Sequence, residues 1–256
     1  ALAVCHANCR QAWEGGKCWL PLETGFLVPV DDVLDLIPPL SAKGTEEKET
    51  EARPDLIYVS IVPRKGLTFQ FIEVKYRRHL RATRSPDLLN SIRQQVESLR
   101  ERWDEWYSSE GVSASFQAVR RAKLARVLRF YADKAHRHYT ALGGDVGALG
   151  LAKEQHDSIV TEIDRMIEKG GDYLFAAVEM PDRGWVFCPE YGGAHPLEVS
   201  SPDWETRIFL VGPGLLPDSE FRLEVIVPPT GTASNNDAAL AIPQDIEQSQ
   251  PGQSLN

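Results

Sequence analysis

The stretch RPDLIYVSIVPRKGLTFQFIEVKY, residues 53–76, decides how the chain folds. Leu56 to Val62 is β-branched and apolar, Pro63-Arg64-Lys65-Gly66 is a turn, and Leu67 to Tyr76 is a second apolar run. Two such runs joined by a short Gly-containing turn predict a β-hairpin. Apolar residues on both faces predict strands placed inside a sheet. Against that background three charged residues stand out. Glu73 and Lys75 are two apart on the second strand, so they leave the same face as Phe69 and Phe71. A carboxylate and an ammonium there are costly unless they pair or meet a ligand. Asp55 stands just before the first strand, after Pro54, and a hairpin brings it beside the end of the second.

Outward from the hairpin the pattern turns helical. Ser85-Pro86-Asp87 is a helix start, with Ser85 as N-cap and Pro86 at the first helical position. Ile92, Val96, Leu99, Trp103 and Trp106 then form one apolar stripe. Ser115 opens another long helix, with Val119, Leu124, Val127, Leu128 and Tyr131 inward. A third runs from Leu151 to Glu168 and stops at Gly170-Gly171. Strands are predicted at Tyr173 to Glu179, Trp185 to Cys188 and Arg207 to Val211, with Phe221 to Val227 a further candidate. Before the hairpin, Ala1 to Glu14 reads as a helix. Trp19 to Leu40 is cut by prolines into short extended pieces, with one or two helical turns at Asp31 to Leu36. Ser41 to Ala52 reads as a polar loop, and the chain from Pro228 onward as disordered. The fold class expected is α/β: a mixed sheet flanked by helices, with an extra helical insertion. One domain is expected over residues 1–228. Its core is about 53–107, its helical region 115–169 and its further strands 172–227, with a tail at 229–256.

Composition narrows the function. The 256 residues are 42% hydrophobic and 25% charged, as in ordinary globular proteins. No run of eighteen apolar residues predicts a membrane span, and the start lacks the apolar stretch of a signal peptide. The chain begins at Ala1 without Met, which reads as a piece of a longer protein. Cys5, Cys9 and Cys18 lack paired CxxC knuckles, so they and Cys188 read as reduced thiols of a cytoplasmic protein rather than a zinc site with His6. The net charge of −9 is unevenly spread. Residues 53–141 hold eighteen Lys and Arg against nine Asp and Glu, a local +9. Such a basic middle suits phosphate binding or a set of solvated helix faces, and charge alone leaves the two even.

Two carboxylates with a backbone carbonyl make a hard oxygen site suited to Mg²⁺, or Mn²⁺. A metal there polarises a phosphate and acidifies a water, and an adjacent ammonium offsets charge on the transition state. The competing reading is an ion pair of Lys75 with Glu73 or Asp55. No nucleotide-binding glycine loop and no GxSxG elbow occurs. His79, His136, His138, His156 and His195 show no metal-binding spacing.

Pro54-Asp55, followed after seventeen residues by Glu73-Val74-Lys75, resembles the PD-(D/E)XK nuclease superfamily, over roughly Arg53 to Tyr107. The resemblance implies a restriction-endonuclease-like fold built on an αβββαβ core. It implies Asp55 and Glu73 as metal ligands, the Val74 carbonyl as a further ligand, and Lys75 as catalytic base or charge stabiliser. Gln95, flanking the apolar stripe of the next helix, matches a Gln that some branches add. Glu14 and Glu23 are weaker candidates for an N-terminal Glu. The implied activity is hydrolysis of DNA, in restriction or phage defence. Leu128 to His138 (LRFYADKAHRH) distantly resembles large defence proteins that join such a domain to a DNA-translocating ATPase, which makes an ATPase domain or subunit an expected partner. A homodimer would serve two-strand cutting. Arg77, Arg78, Arg81, Arg84 and Arg93 would hold the phosphate backbone. Arg100 and Arg102 continue that track, and Arg120, Arg121, Lys123, Arg126 and Arg129 form a second. A catalytically silent module that binds DNA or a partner is the alternative.

Overall fold

The computed structural model describes residues 20–36, 53–107, 113–141, 150–177, 181–193 and 195–213. All lie in the unit Ala1–Asp218, and the second unit, Ser219–Asn256, falls outside the described residues. The expected helix at Ala1 to Glu14, the loop at Ser41 to Ala52, the strand at Phe221 to Val227 and the tail also fall outside them.

The expected hairpin is the centre of the molecule. Strand β2 (Leu56–Val62) pairs antiparallel with β3 (Gly66–Tyr76), in a register that sets Leu56 against Ile72. The turn uses two positive φ angles, 66° at Arg64 and 124° at Gly66. Gly66 is required there twice over, because a Cβ would also lie 2.8 Å from the Tyr173 hydroxyl. β1 (Gly25–Pro29) pairs antiparallel with β2. β4 (Arg183–Phe187) adds to β3 in parallel, β6 (Arg207–Val211) to β4 in parallel, and the two-residue β5 (Leu197–Glu198) closes the edge against β6. The order is β1-β2-β3-β4-β6-β5, a mixed α/β sheet with β2 and β3 inside it as their two-faced apolarity requires.

Three α-helices flank the sheet among the described residues: α1 (Pro86–Tyr107), α2 (Ala114–Ala141) and α3 (Lys153–Lys169). One sheet face presents Phe26, Val28, Ile57, Val59, Leu67, Phe69 and Phe71 to Val96, Leu99 and Trp103 of α1, Leu124 and Leu128 of α2, and Ile159 and Ile163 of α3. Trp103 is the aromatic hub, its ring 4.8 Å from Phe69 and 5.7 Å from Phe71. Further along that face, Ile92 packs with Val186, Ile208 and Leu210. The opposite face gathers Leu27, Leu56, Tyr58, Ile72, Trp185 and Phe209 with Leu20 and Leu22. The helical turns at Val30–Leu36 are a 3-10 segment, close to the expected Asp31 to Leu36.

Two expectations fail. Tyr173 to Ala177, the described part of the strand expected at Tyr173 to Glu179, joins no sheet. Side chains take its polar groups instead: Arg121 Nη1 donates to the Tyr173 carbonyl at 2.7 Å, and the Leu67 N–H donates to the Tyr173 hydroxyl at 2.8 Å. Its backbone bonds are Tyr173 N–H to the Gly170 carbonyl at 3.1 Å and Ala176 N–H to the Leu67 carbonyl at 2.8 Å, and only the second reaches the sheet. Val119, read as inward, is 53% exposed, because α2 turns Leu124, Ala125, Leu128 and Ala132 to the core and carries Val119 outside that arc.

Candidate active site

The hairpin register extends one step past β2, so Asp55 lies opposite Glu73. Asp55 N–H donates to the Ile72 carbonyl at 3.1 Å, and the Asp55 carbonyl accepts from Val30 N–H at 3.0 Å. Its backbone is thus held between β3 and the end of β1. Its side chain is fixed too, with Oδ2 accepting the Val74 N–H at 2.8 Å. Glu73 has no solvent-accessible side-chain surface. It forms an ion pair with Lys75, whose side chain keeps 29% exposure. Asp55, Glu73 and Lys75 therefore converge, as the spacing predicts.

Helix α1 roofs this cluster. Gln95, with its amide turned to satisfy both ends, donates to Glu73 Oε1 at 2.7 Å and Oε2 at 3.2 Å, while its oxygen accepts from the Ser91 hydroxyl at 3.2 Å. The close approach of α1 depends on Gly184, which stands across from Glu73 on β4. A Cβ at Gly184 would come 2.4 Å from Ile92 Cγ2. Neither Ser91 nor Gly184 belongs to the sequence motif. Ser91 is one helical turn before Gln95, a spacing that could have marked it.

Burial, first, and the nearby Asp55 charge push the Glu73 carboxyl up to about 7, against the lowering effect of Lys75. Two hard carboxylates, one buried and raised by the other's charge, suit a divalent cation. Mg²⁺ takes one or two protein carboxylates and completes its shell with water and phosphate oxygens. The residues present fit that pattern. Among the described residues, no group of three or more His, Cys, Asp or Glu forms a metal cluster. Glu23 is exposed in the turn before β1, and Glu14, Cys5, Cys9 and Cys18 fall outside the described residues. Cys188 is a buried free thiol.

The arginines divide into two groups. Arg78, Arg81 and Arg84 are exposed on the segment that follows β3, and Arg77 donates to the Tyr76 carbonyl at 2.9 Å. Glu190 holds this segment by accepting from His79 and from Leu80 N–H, each at 2.8 Å. Arg93 lies over the Trp204 ring, 4.9 Å from its centroid, with Glu97 at 3.9 Å. Arg100 is structural: it pairs with Asp182 at 2.6 Å, donates to the Phe69 carbonyl at 2.7 Å and covers the Phe71 ring. Arg102 Nε donates to the Ser98 carbonyl at 3.2 Å. In the second track, Arg121 is buried, Arg129 pairs with Asp164, and Arg120 stacks 3.2 Å from the Trp106 ring centroid. Only Lys123 and Arg126 of that track are exposed.

No protein-family model, no curated protein and no solved structure matches the chain. No helix among the described residues is long and apolar enough to cross a membrane.

Proposed function

We propose that the chain is a metal-dependent nuclease that hydrolyses phosphodiester bonds in DNA. The observation that carries this reading is the meeting of Asp55, Glu73, Lys75 and Gln95 around a carboxylate without solvent exposure. Topology supports it: an antiparallel β1-β2-β3 meander, the helix α1, and a parallel β4 give the βββαβ part of the PD-(D/E)XK core, with α2 and α3 as the extra helical insertion between α1 and β4.

Asp55 and Glu73 would hold Mg²⁺ or Mn²⁺, with the Val74 carbonyl as the further ligand that the resemblance implies. Such an ion, when bound, polarises the scissile phosphate and lowers the pKa of its water. Gln95 orients the Glu73 carboxylate, and Ser91 orients Gln95. Lys75 places a positive charge where negative charge develops on phosphorus-bound oxygen, or takes up the water's proton. Arg78, Arg81 and Arg84, with Arg77 beside them, would bind backbone phosphates without reading bases. Work in restriction or phage defence, beside a DNA-translocating ATPase or as a homodimer, belongs to the same proposal.

One observation favours a second reading. Lys75 already neutralises Glu73, as it would in a silent DNA- or partner-binding module whose charges only pair with each other. Incubation with supercoiled and linear DNA, in Mg²⁺, Mn²⁺ or EDTA, separates the two. Cleavage should require the metal and fall by at least roughly a hundredfold in Asp55→Ala and Lys75→Ala. Cleavage that survives both substitutions overturns the site, and binding without cleavage under every metal selects the silent module.

A further inference from the structure

Helix α2 carries a stripe that the nuclease site does not use. Phe116, Val119, Lys123, Arg126, Phe130, Lys134 and Arg137 are all exposed. At about 100° per residue they fall within an arc of about 80°, and they span about 31 Å of helix. Three of the seven are apolar and open to solvent: Phe116 at 49%, Val119 at 53% and Phe130 at 54%. The other four are cations. Among the described residues no carboxylate pairs with Lys123, Arg126, Lys134 or Arg137. The one acid of the helix, Asp133, lies at the margin of the arc and accepts from His156 of α3 at 2.7 Å. Arg120, Arg121 and Arg129 are each engaged in the fold, whereas the four stripe cations keep their charges open to another molecule, Lys134 while lying 5.5 Å from the Tyr131 ring centroid.

A solvated helix face carries mixed charges and few large apolar groups. This face carries one sign of charge with two phenyl rings a few turns apart. Charge complementarity calls for a polyanion, and the rings select among polyanions. A duplex hides its base faces in the stack, so two exposed rings gain little from it. An acidic protein segment would satisfy the cations but brings no requirement for flat aromatic faces. A single strand offers both phosphates and free base faces. We propose that the outer face of α2 is a binding tract for single-stranded nucleic acid. Lys123, Arg126, Lys134 and Arg137 hold phosphates, and bases stack on Phe116 and Phe130. The tract deepens the nuclease reading by adding a strand-binding surface, yet it has its own residues and its own readout.

The test uses the full chain in EDTA, with labelled (dT)20 and a duplex of the same length, by fluorescence anisotropy across a salt series. Four phosphate contacts contribute a slope of about −3 in log affinity against log salt. Joint substitution Lys123→Gln, Arg126→Gln, Lys134→Gln and Arg137→Gln should remove that slope and weaken (dT)20 binding roughly a hundredfold near 0.1 M salt. Phe116→Ser with Phe130→Ser should weaken it at least roughly tenfold, leave the slope unchanged, and leave duplex binding nearly untouched. The four cations are exposed, so the unfolding midpoint should hold in the Gln variant; Phe116 is half exposed and packs beside Arg120 and Trp106, so binding by the Phe variant is read well below its own unfolding midpoint. Unchanged affinity and slope in both variants overturns the tract. So does a duplex bound as tightly as (dT)20 with no effect of the Phe substitutions, or a chain that ignores nucleic acid and binds poly-glutamate. Cleavage that depends on Asp55 and Lys75 while the stripe variants bind normally removes the tract and leaves the nuclease. Strand binding lost in the stripe variants, with no cleavage by the wild-type chain, removes the nuclease and leaves the tract.

Discussion

Glu73 is placed where an ionised carboxylate is least welcome, on the covered face of a strand whose preceding outward positions on that side are Phe69 and Phe71. Its proton is therefore held more tightly in the fold than in the unfolded chain, burial pushing the carboxyl from 4.5 up to about 7. A folded-state pKa above the unfolded one stabilises the fold fully at pH below 4.5, and this contribution is lost as pH rises through about 7. The difference corresponds to about 3 kcal/mol. Urea unfolding in EDTA between pH 4.5 and 8 should show the wild-type chain losing about that much relative to Glu73→Gln, which keeps the shape and the amide contacts without the charge. Parallel pH profiles for the two proteins would show that Glu73 ionises freely in the fold. Adding Mg²⁺ at pH 7.5 should raise the unfolding temperature of the wild type and leave Glu73→Gln unmoved, because a bound cation displaces the proton.

At the scale of elements, the hairpin and the helices were legible in the sequence, and the reason is local. β-branched runs around a Gly turn, and apolar residues at helical spacing, need no distant partner to be recognised. The Tyr173 to Ala177 segment needed one. Tyr173, Phe175 and Ala176 read as a strand, but Arg121 of α2 and the Tyr173 hydroxyl claim the backbone groups that a ladder would use. Arg121 was counted as surface for the same reason: nothing in a run of arginines tells which one is 1% exposed. Arg121→Leu should keep α2 helical and cost about 2–4 kcal/mol by leaving the Tyr173 carbonyl unsatisfied, measured by chemical denaturation. Strand binding by the outer face of α2 should survive it. Gly184→Ala acts on the other side of the site. A methyl group 2.4 Å from Ile92 Cγ2 forces α1 away from β4, and a stiff β-branched neighbour yields little. The substitution should cost about 1–3 kcal/mol of stability. It should also lower cleavage at least roughly tenfold, since a misplacement of 1 Å at Gln95 and Glu73 loosens the site. Cleavage that stays at the wild-type rate in a destabilised Gly184→Ala protein would show that the α1 roof does not position the carboxylate.

At the scale of the molecule, the charge distribution and the site tell a consistent story that composition alone conceals. A chain of net −9 repels a polyanion at long range, yet its basic middle lies on the segment after β3 and along α2. Binding should therefore be local and steeply salt-dependent, with acidic segments elsewhere opposing sliding or nonspecific adhesion. The number of sites limits the product. Asp55, Glu73 and Lys75 make one cluster among the described residues, and on the nuclease proposal one such cluster would cut one strand per encounter. Supercoiled plasmid should accordingly pass first to open circles. Linear product should appear later and rise more steeply than the first power of protein concentration if two copies must meet on the duplex. A mixture of wild-type chain with an excess of Asp55→Ala chain distinguishes the routes. In a dimer, the inactive partner suppresses linear product and leaves nicking, because mixed pairs carry one working site. In independent monomers, the two products fall together in proportion to the DNA the inactive chain covers. Gel separation of open-circular and linear forms over a concentration series reads this directly, and a linear product that resists the inactive chain would show that each chain cuts both strands alone.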